Sequence, residues 1–113
     1  MVLVSLWLNI LILIPVCWGL AIEAKWADAA WGEKTPARGI LLSIYLAIFI
    51  ASVLILLIGS PTLAAPLLAV QVFYKVTTPI TVRSLRNPVV LSNLGIAAIH
   101  TITLCNIDLT LAN

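Results

Sequence analysis

The chain has 113 residues, 63% of them hydrophobic and 9% charged, with a formal net charge of +2. Soluble domains carry about 25% charged residues, and the ten charges present here cannot cover the surface of a soluble fold of this length. A soluble domain is therefore excluded. So is a nucleic-acid-binding module, which would need a basic stripe interleaved with aromatics.

The first apolar segment, residues 2–22, has no Lys or Arg before its apolar run. It lacks the charged start of a signal peptide and reads as a retained first span. It has the roughly 20 helical residues needed to cross a hydrocarbon core of about 30 Å. Pro15 removes one backbone hydrogen bond and crowds the carbonyl of Leu11, so a kink is expected there. The polar, alanine-rich stretch that follows contains Trp26 and Trp31, and is expected to prolong the helix into the interface until Gly32 stops it.

Each of the next three segments opens with a capping residue before a proline: Thr35-Pro36, Ser60-Pro61 and Asn87-Pro88. The capping side chain can accept from an unpaired N–H, and proline at the first helical position has none to leave unsatisfied. The spans read from this punctuation are 36–58, 61–76 and 88–111. The third is short, about 24 Å at ~1.5 Å per residue, and must lie upright or thin the bilayer. The fourth is the least apolar, with Ser92, Asn93, His100, Thr101, Thr103, Asn106 and Asp108; the last is expected to be solvated at its outer end. The fold expected is an all-α polytopic bundle of four transmembrane helices, forming one transmembrane domain.

Charge sets the count and the sidedness. With four spans, linkers 23–35 and 77–87 fall on one side together with all six basic residues: Lys25, Lys34, Arg83 and Arg86 lie within them, Arg38 just after the first and Lys75 just before the second. Joining segments two and three would split the basic residues evenly and force one very long helix through Gly59, Ser60 and Pro61. The positive-inside rule thus favours four spans, cytoplasmic linkers and both termini on the non-cytoplasmic side; in a bacterium this is the inner membrane. Trp18, Trp26, Trp31 and Tyr74 gather toward the basic end and Trp7 toward the other, as interfacial anchors do. Lys75 is expected to snorkel outward from its helix end.

The fourth span holds the visible candidates for chemistry. His100 lies near its middle, where an ionisable group defaults to a functional hypothesis. Asn93 and His100 are about 20° apart on a helical wheel, with Ser92, Ile96 and Thr103 on the adjoining flank. This polar stripe is expected to face protein, a pigment or water rather than lipid. His100 is a candidate axial ligand to a haem or chlorophyll-type macrocycle, or a member of a proton path. The plainer reading is a histidine bonded to a neighbouring helix through Tyr45, Ser43 or Gln71. Gln71 and Asn9, the other polar groups at membrane depth, are read as helix–helix contacts. Lys75, Arg83, Arg86, Trp26 and Trp31 are candidate lipid or partner contacts, although the basic linker also serves as an ordinary positive-inside signal.

Cys17 and Cys105 lie in apolar stretches and read as two buried thiols rather than a disulfide or metal site. No metal-ligand cluster, paired carboxylates, P-loop or nucleophile–base grouping is visible. Small residues, among them Ala47, Ala51, Gly95 and Ala98, permit close helix approach. In length and four-span plan the chain is similar to the small multidrug resistance transporters. Their hallmark is a membrane-embedded glutamate in the first helix; here that helix has no acid, and Asn9 is its only strongly polar side chain. The resemblance therefore implies the architecture and not drug–proton exchange.

The function expected is a non-enzymatic accessory subunit at the periphery of a larger membrane complex of respiratory or photosynthetic kind. Its partners are the bilayer and other membrane subunits or copies of itself, and not nucleic acid. The alternative is a small homo-oligomeric transporter or channel with His100, Asn93 and Gln71 lining the path.

Overall fold

A computed structural model describes residues 2–107. Its elements are α1 (Val2–Ala21), α2 (Lys25–Trp31), α3 (Pro36–Ile58), α4 (Pro61–Val82) and α5 (Pro88–Asn106), with no strand among the described residues. All except α2 are long and apolar enough to cross a membrane. The chain is a polytopic integral membrane protein, a helical bundle whose 45 Å long axis matches a bilayer with its headgroups, about 40–45 Å.

The helix boundaries follow the expected punctuation with three exceptions. Thr35 caps α3 by accepting from the Arg38 amide at 3.3 Å, and Asn87 caps α5 by accepting from the Val89 amide at 2.8 Å. Ser60 does not cap α4; its hydroxyl lies 3.1 Å from that of Thr62.

The second exception is that α1 does not continue into the interface. Glu23 takes a left-handed backbone, φ 57°, and the Ala24 N–H folds back on the Gly19 carbonyl at 2.9 Å. The chain then turns into a separate α2, which Gly32 ends at φ 85° as expected. Gly19 seats α2 on α1, because a β-carbon there would overlap the Trp26 ring lying against it. Pro15 lies inside α1 without ending it.

The third exception is the span expected to be short. α4 has 22 residues, about 33 Å at ~1.5 Å per residue, and runs through Pro79 to Val82. Proline at position 79 has no N–H to offer the Lys75 carbonyl, and the Thr78 hydroxyl donates to that carbonyl at 2.7 Å instead. Hydroxyls repair a proline break inside a membrane helix in this way, so the second linker shrinks from 77–87 to the residues between Val82 and Pro88. The fourth span, expected over 88–111, is described as helix to Asn106; Asp108 and the end of that span lie outside the described residues.

Both linkers sit at one end of the bundle, where the Asn87 side-chain amide donates to the Ala30 carbonyl at 3.1 Å. Arg38 is buried there; its guanidinium bonds Asp28 and, at 2.6 Å, the Gly32 carbonyl, fastening α2 to the start of α3. At the other end Val2 and Leu6 pack near Ile55, Leu56 and Leu104. The bundle is built from two closely packed pairs, α1 with α3 and α4 with α5, and the contacts between the pairs are sparser. One apolar cluster (Leu13, Leu20, Ala27, Tyr45, Ile48) lies toward the linker end and another (Leu6, Ala64, Leu68) toward the termini. Cys17 is half-buried, and Cys105 is exposed rather than buried, because it falls on the outer face of α5.

The fit of Trp26 on Gly19 makes a direct prediction. Gly19→Ala undocks α2, and trypsin cleavage after Lys25 in detergent rises by about tenfold or more, since cleavage tracks the open population. Gly39→Ala, whose β-carbon meets nothing within 4 Å, leaves the cleavage rate unchanged.

Candidate functional site

His100 is fully buried, and both its ring nitrogens are engaged. Nδ1 lies 2.9 Å from the Ser5 hydroxyl, and Nε2 lies 2.9 Å from Asn9 Oδ1. The expected partners Tyr45, Ser43 and Gln71 are not the ones found: both groups come from α1, across the gap between the two helix pairs. The reading of His100 as a histidine bonded between helices holds. Coordination of a macrocycle would require one of the two ring bonds to be given up. Among the described residues no cluster of three or more metal-ligating side chains occurs.

Asn9 is the centre of this network. Its Nδ2 donates to Ser52 Oγ of α3 at 3.1 Å and to Gln71 Oε1 of α4 at 2.8 Å. Its Oδ1 accepts from Gln71 Nε2 at 3.0 Å and faces His100 Nε2 of α5. A side-chain amide has two N–H donors and two acceptor lone pairs, so Asn9 is saturated and bonded to every other spanning helix. Since Asn9 Oδ1 can only accept, His100 Nε2 carries a proton. Ser52 in turn donates to the Ile48 carbonyl at 2.8 Å, which leaves its oxygen free to accept from Asn9. Ser5 and Thr103 share a 2.6 Å hydroxyl contact that extends the network along α5.

The expected polar stripe is therefore partly inward. Asn93, His100 and Thr103 are buried on one face of α5, whereas Ser92 is exposed on its flank. Asn93 belongs to a second, separate polar pair. Lys75, expected to snorkel outward, instead turns into the bundle with 6% exposure, and its Nζ donates to Asn93 Oδ1 at 3.0 Å. The cause is register: Lys75 is seven residues before the end of α4, about 10 Å below it at ~1.5 Å per residue, and its stem runs beside the Tyr74 ring, whose centroid lies 4.8 Å from Nζ. Arg83 and Arg86 are exposed beyond the helix end, as expected. Trp26 is half exposed, while Trp31 turns inward to meet the Tyr45 ring edge-on at 6.3 Å.

Sequence reasoning singled out His100, Gln71 and Asn9 but missed Ser5 and Ser52. Single serines are frequent in membrane helices, and only the helix pairing shows which ones face a polar partner. No protein-family model, curated protein or solved structure matches the chain.

The geometry assigns the network a holding role. Interhelical hydrogen bonds in membranes average about 0.6 kcal/mol and reach about 1.7. Leaving a buried partner unsatisfied costs about 1–3 kcal/mol. Asn9→Ala is expected to destabilise the protein by about 2 kcal/mol or more, because it strands groups on α3, α4 and α5 together. A double-mutant cycle of Asn9→Ala with Gln71→Ala, read from unfolding in mixed micelles, should give a coupling of about 1 kcal/mol; additive effects would mean the amide pair is not made.

Proposed function

We infer that this chain is a small accessory subunit of a larger membrane complex, packing at its periphery and supplying structure rather than chemistry. The observation that carries the reading is an uncovered face of small residues on α5. Ser92, Gly95, Ala98 and Cys105 all point outward, and a β-carbon at Gly95 would meet nothing within 4 Å. Membrane helices pack on one another through small residues, which let backbones approach closely. Ser43 and Ala47, with the half-buried Ala51, form a similar face on α3. Within the chain, by contrast, the polar groups at mid-depth close on one another, so the surface left to offer is one for another helix. The respiratory or photosynthetic kind of complex belongs to the same proposal.

In the transporter alternative, His100 and Gln71 would have to release Asn9 to line a path. We further propose that the basic linker end faces the cytoplasm and the termini face outward, by the positive-inside rule. Trypsin should then cut after Lys25 and Arg83 in inverted vesicles and not in right-side-out ones; the reverse pattern would refute the sidedness.

The accessory reading predicts that purification from the native membrane in mild detergent recovers other membrane chains in fixed proportion. Gly95→Leu should reduce that recovery by about tenfold, equivalent to about 1.4 kcal/mol of contact energy, while leaving the chain itself folded. A homogeneous oligomer of this chain alone, unaffected by Gly95→Leu, would overturn it.

A further inference from the structure

Beneath α2, the slot between α1 and α5 opens into a cavity of about 280 Å³. Its walls are apolar, with Ile12, Val16 and Ile96 along the slot, and Trp26 and Trp31 overhead. Lys75 and Asn93 also line it. Lys75 is 6% exposed and has no carboxylate within ion-pair distance among the described residues. The linker acids Glu23 and Asp28 are already paired, with Lys34 and Arg38. An ammonium has three N–H donors, and one of them is used on Asn93 Oδ1. Asn93 Nδ2 makes no hydrogen bond to any described residue. The cavity therefore holds a buried cation with donors to spare and, beside it, an amide N–H pair with no acceptor. Burying an unpaired charge is costly, and a buried cation is normally matched by an anion.

We propose that this cavity binds the carboxylate of a single-chain anionic amphiphile, a fatty acid, with its head on Lys75 and Asn93 and its chain along the α1–α5 slot. The carboxylate has two oxygens, each able to accept, which suits donors from two neighbouring side chains. The apolar walls suit an acyl chain, which arrives from lipid rather than water, so the contacts to its head and not methylene burial select the site. Depth selects the head. Lys75 lies about 10 Å below the end of α4, under the roof formed by α2, where a phospholipid phosphate anchored at the interface does not reach. The same roof obstructs a partner helix running down the slot with a carboxylate of its own. Ser92 lines the mouth of the cavity and also belongs to the outward face of α5, so binding is tested on this chain alone, where its failure says nothing about partner subunits.

Tritiated palmitate binding to the full chain in nanodiscs of neutral phospholipid tests the proposal. Saturable binding near one palmitate per chain is expected. Lys75→Met, which keeps the side chain's length without its charge, should weaken binding by about tenfold or more. Ile96→Trp fills the slot while leaving Lys75 in place, and should also abolish binding; it keeps the test decisive if Lys75→Met fails to fold. Lys25→Gln removes a basic charge outside the cavity and should change nothing. Hexadecanol should not compete, and neither should phosphatidylglycerol. Equal binding by Lys75→Met, competition by hexadecanol, displacement by phosphatidylglycerol, or no saturable binding at all would each overturn the proposal.

Discussion

The bundle depends on the saturation of one side chain. Asn9 places two donors and two acceptors among Ser52, Gln71 and His100, one residue from each of the other spanning helices. In lipid there is no hydrophobic force between helices to compare with that in water, so packing and interhelical hydrogen bonds must set which faces meet. The two close helix pairs, α1–α3 and α4–α5, touch each other sparsely. The polar network joins them at mid-depth, where Asn9 and Ser5 reach from α1 across to α4 and α5, and Leu6 packing on Ala64 and Leu68 adds an apolar tie nearer the termini. A closed network also fixes register. Sliding one helix by a turn, about 5.4 Å, would strand buried polar groups in hydrocarbon, where no water can satisfy them.

Polar groups are sorted by depth, and each depth has its own function. At mid-membrane they are neutral and mutually bonded. At the linker end they are charged, with Arg38 paired to Asp28 and Lys34 to Glu23. Lys75 falls between the two zones, charged like the second and buried like the first, with only an amide oxygen and an aromatic ring close to its nitrogen. It is a buried charge to which the described residues offer no carboxylate, and it lines a cavity. The outward small-residue face of α5 is a different kind of incompleteness, of packing rather than of charge, and points to another helix rather than a small ligand.

Much of this was legible in the sequence for physical reasons. Hydropathy and the recurring cap–proline pairs located four spans, and the capping of Thr35 and Asn87 follows directly from their chemistry. The placement of basic residues put both linkers at one end, where Asn87 and Ala30 now meet. Three features were not legible. The apolar run stops at Val76 and suggests an early end to α4, but the helix continues through Pro79, where the threonine one residue before it restores the lost bond, and no periodicity reports that. A helical wheel gave the buried face of α5 but not the neighbour it meets; His100 and Asn9 are 91 residues apart in sequence. For Lys75, the apolar run ends at Val76 while the helix continues to Val82, so a lysine about two turns inside carries the pattern of one at the surface.

The central claim is that Asn9 holds His100 in a fixed tautomer between the two helix pairs. Because His100 is the only histidine in the chain, the imidazole ¹⁵N spectrum of histidine-labelled protein in lipid reads it without ambiguity. The account predicts a protonated, hydrogen-bonded Nε2 that stays distinct from Nδ1, and loss of that fixed assignment in Asn9→Leu. A proton on Nδ1 alone, or rapid averaging of the two nitrogens in the unaltered protein, would contradict it.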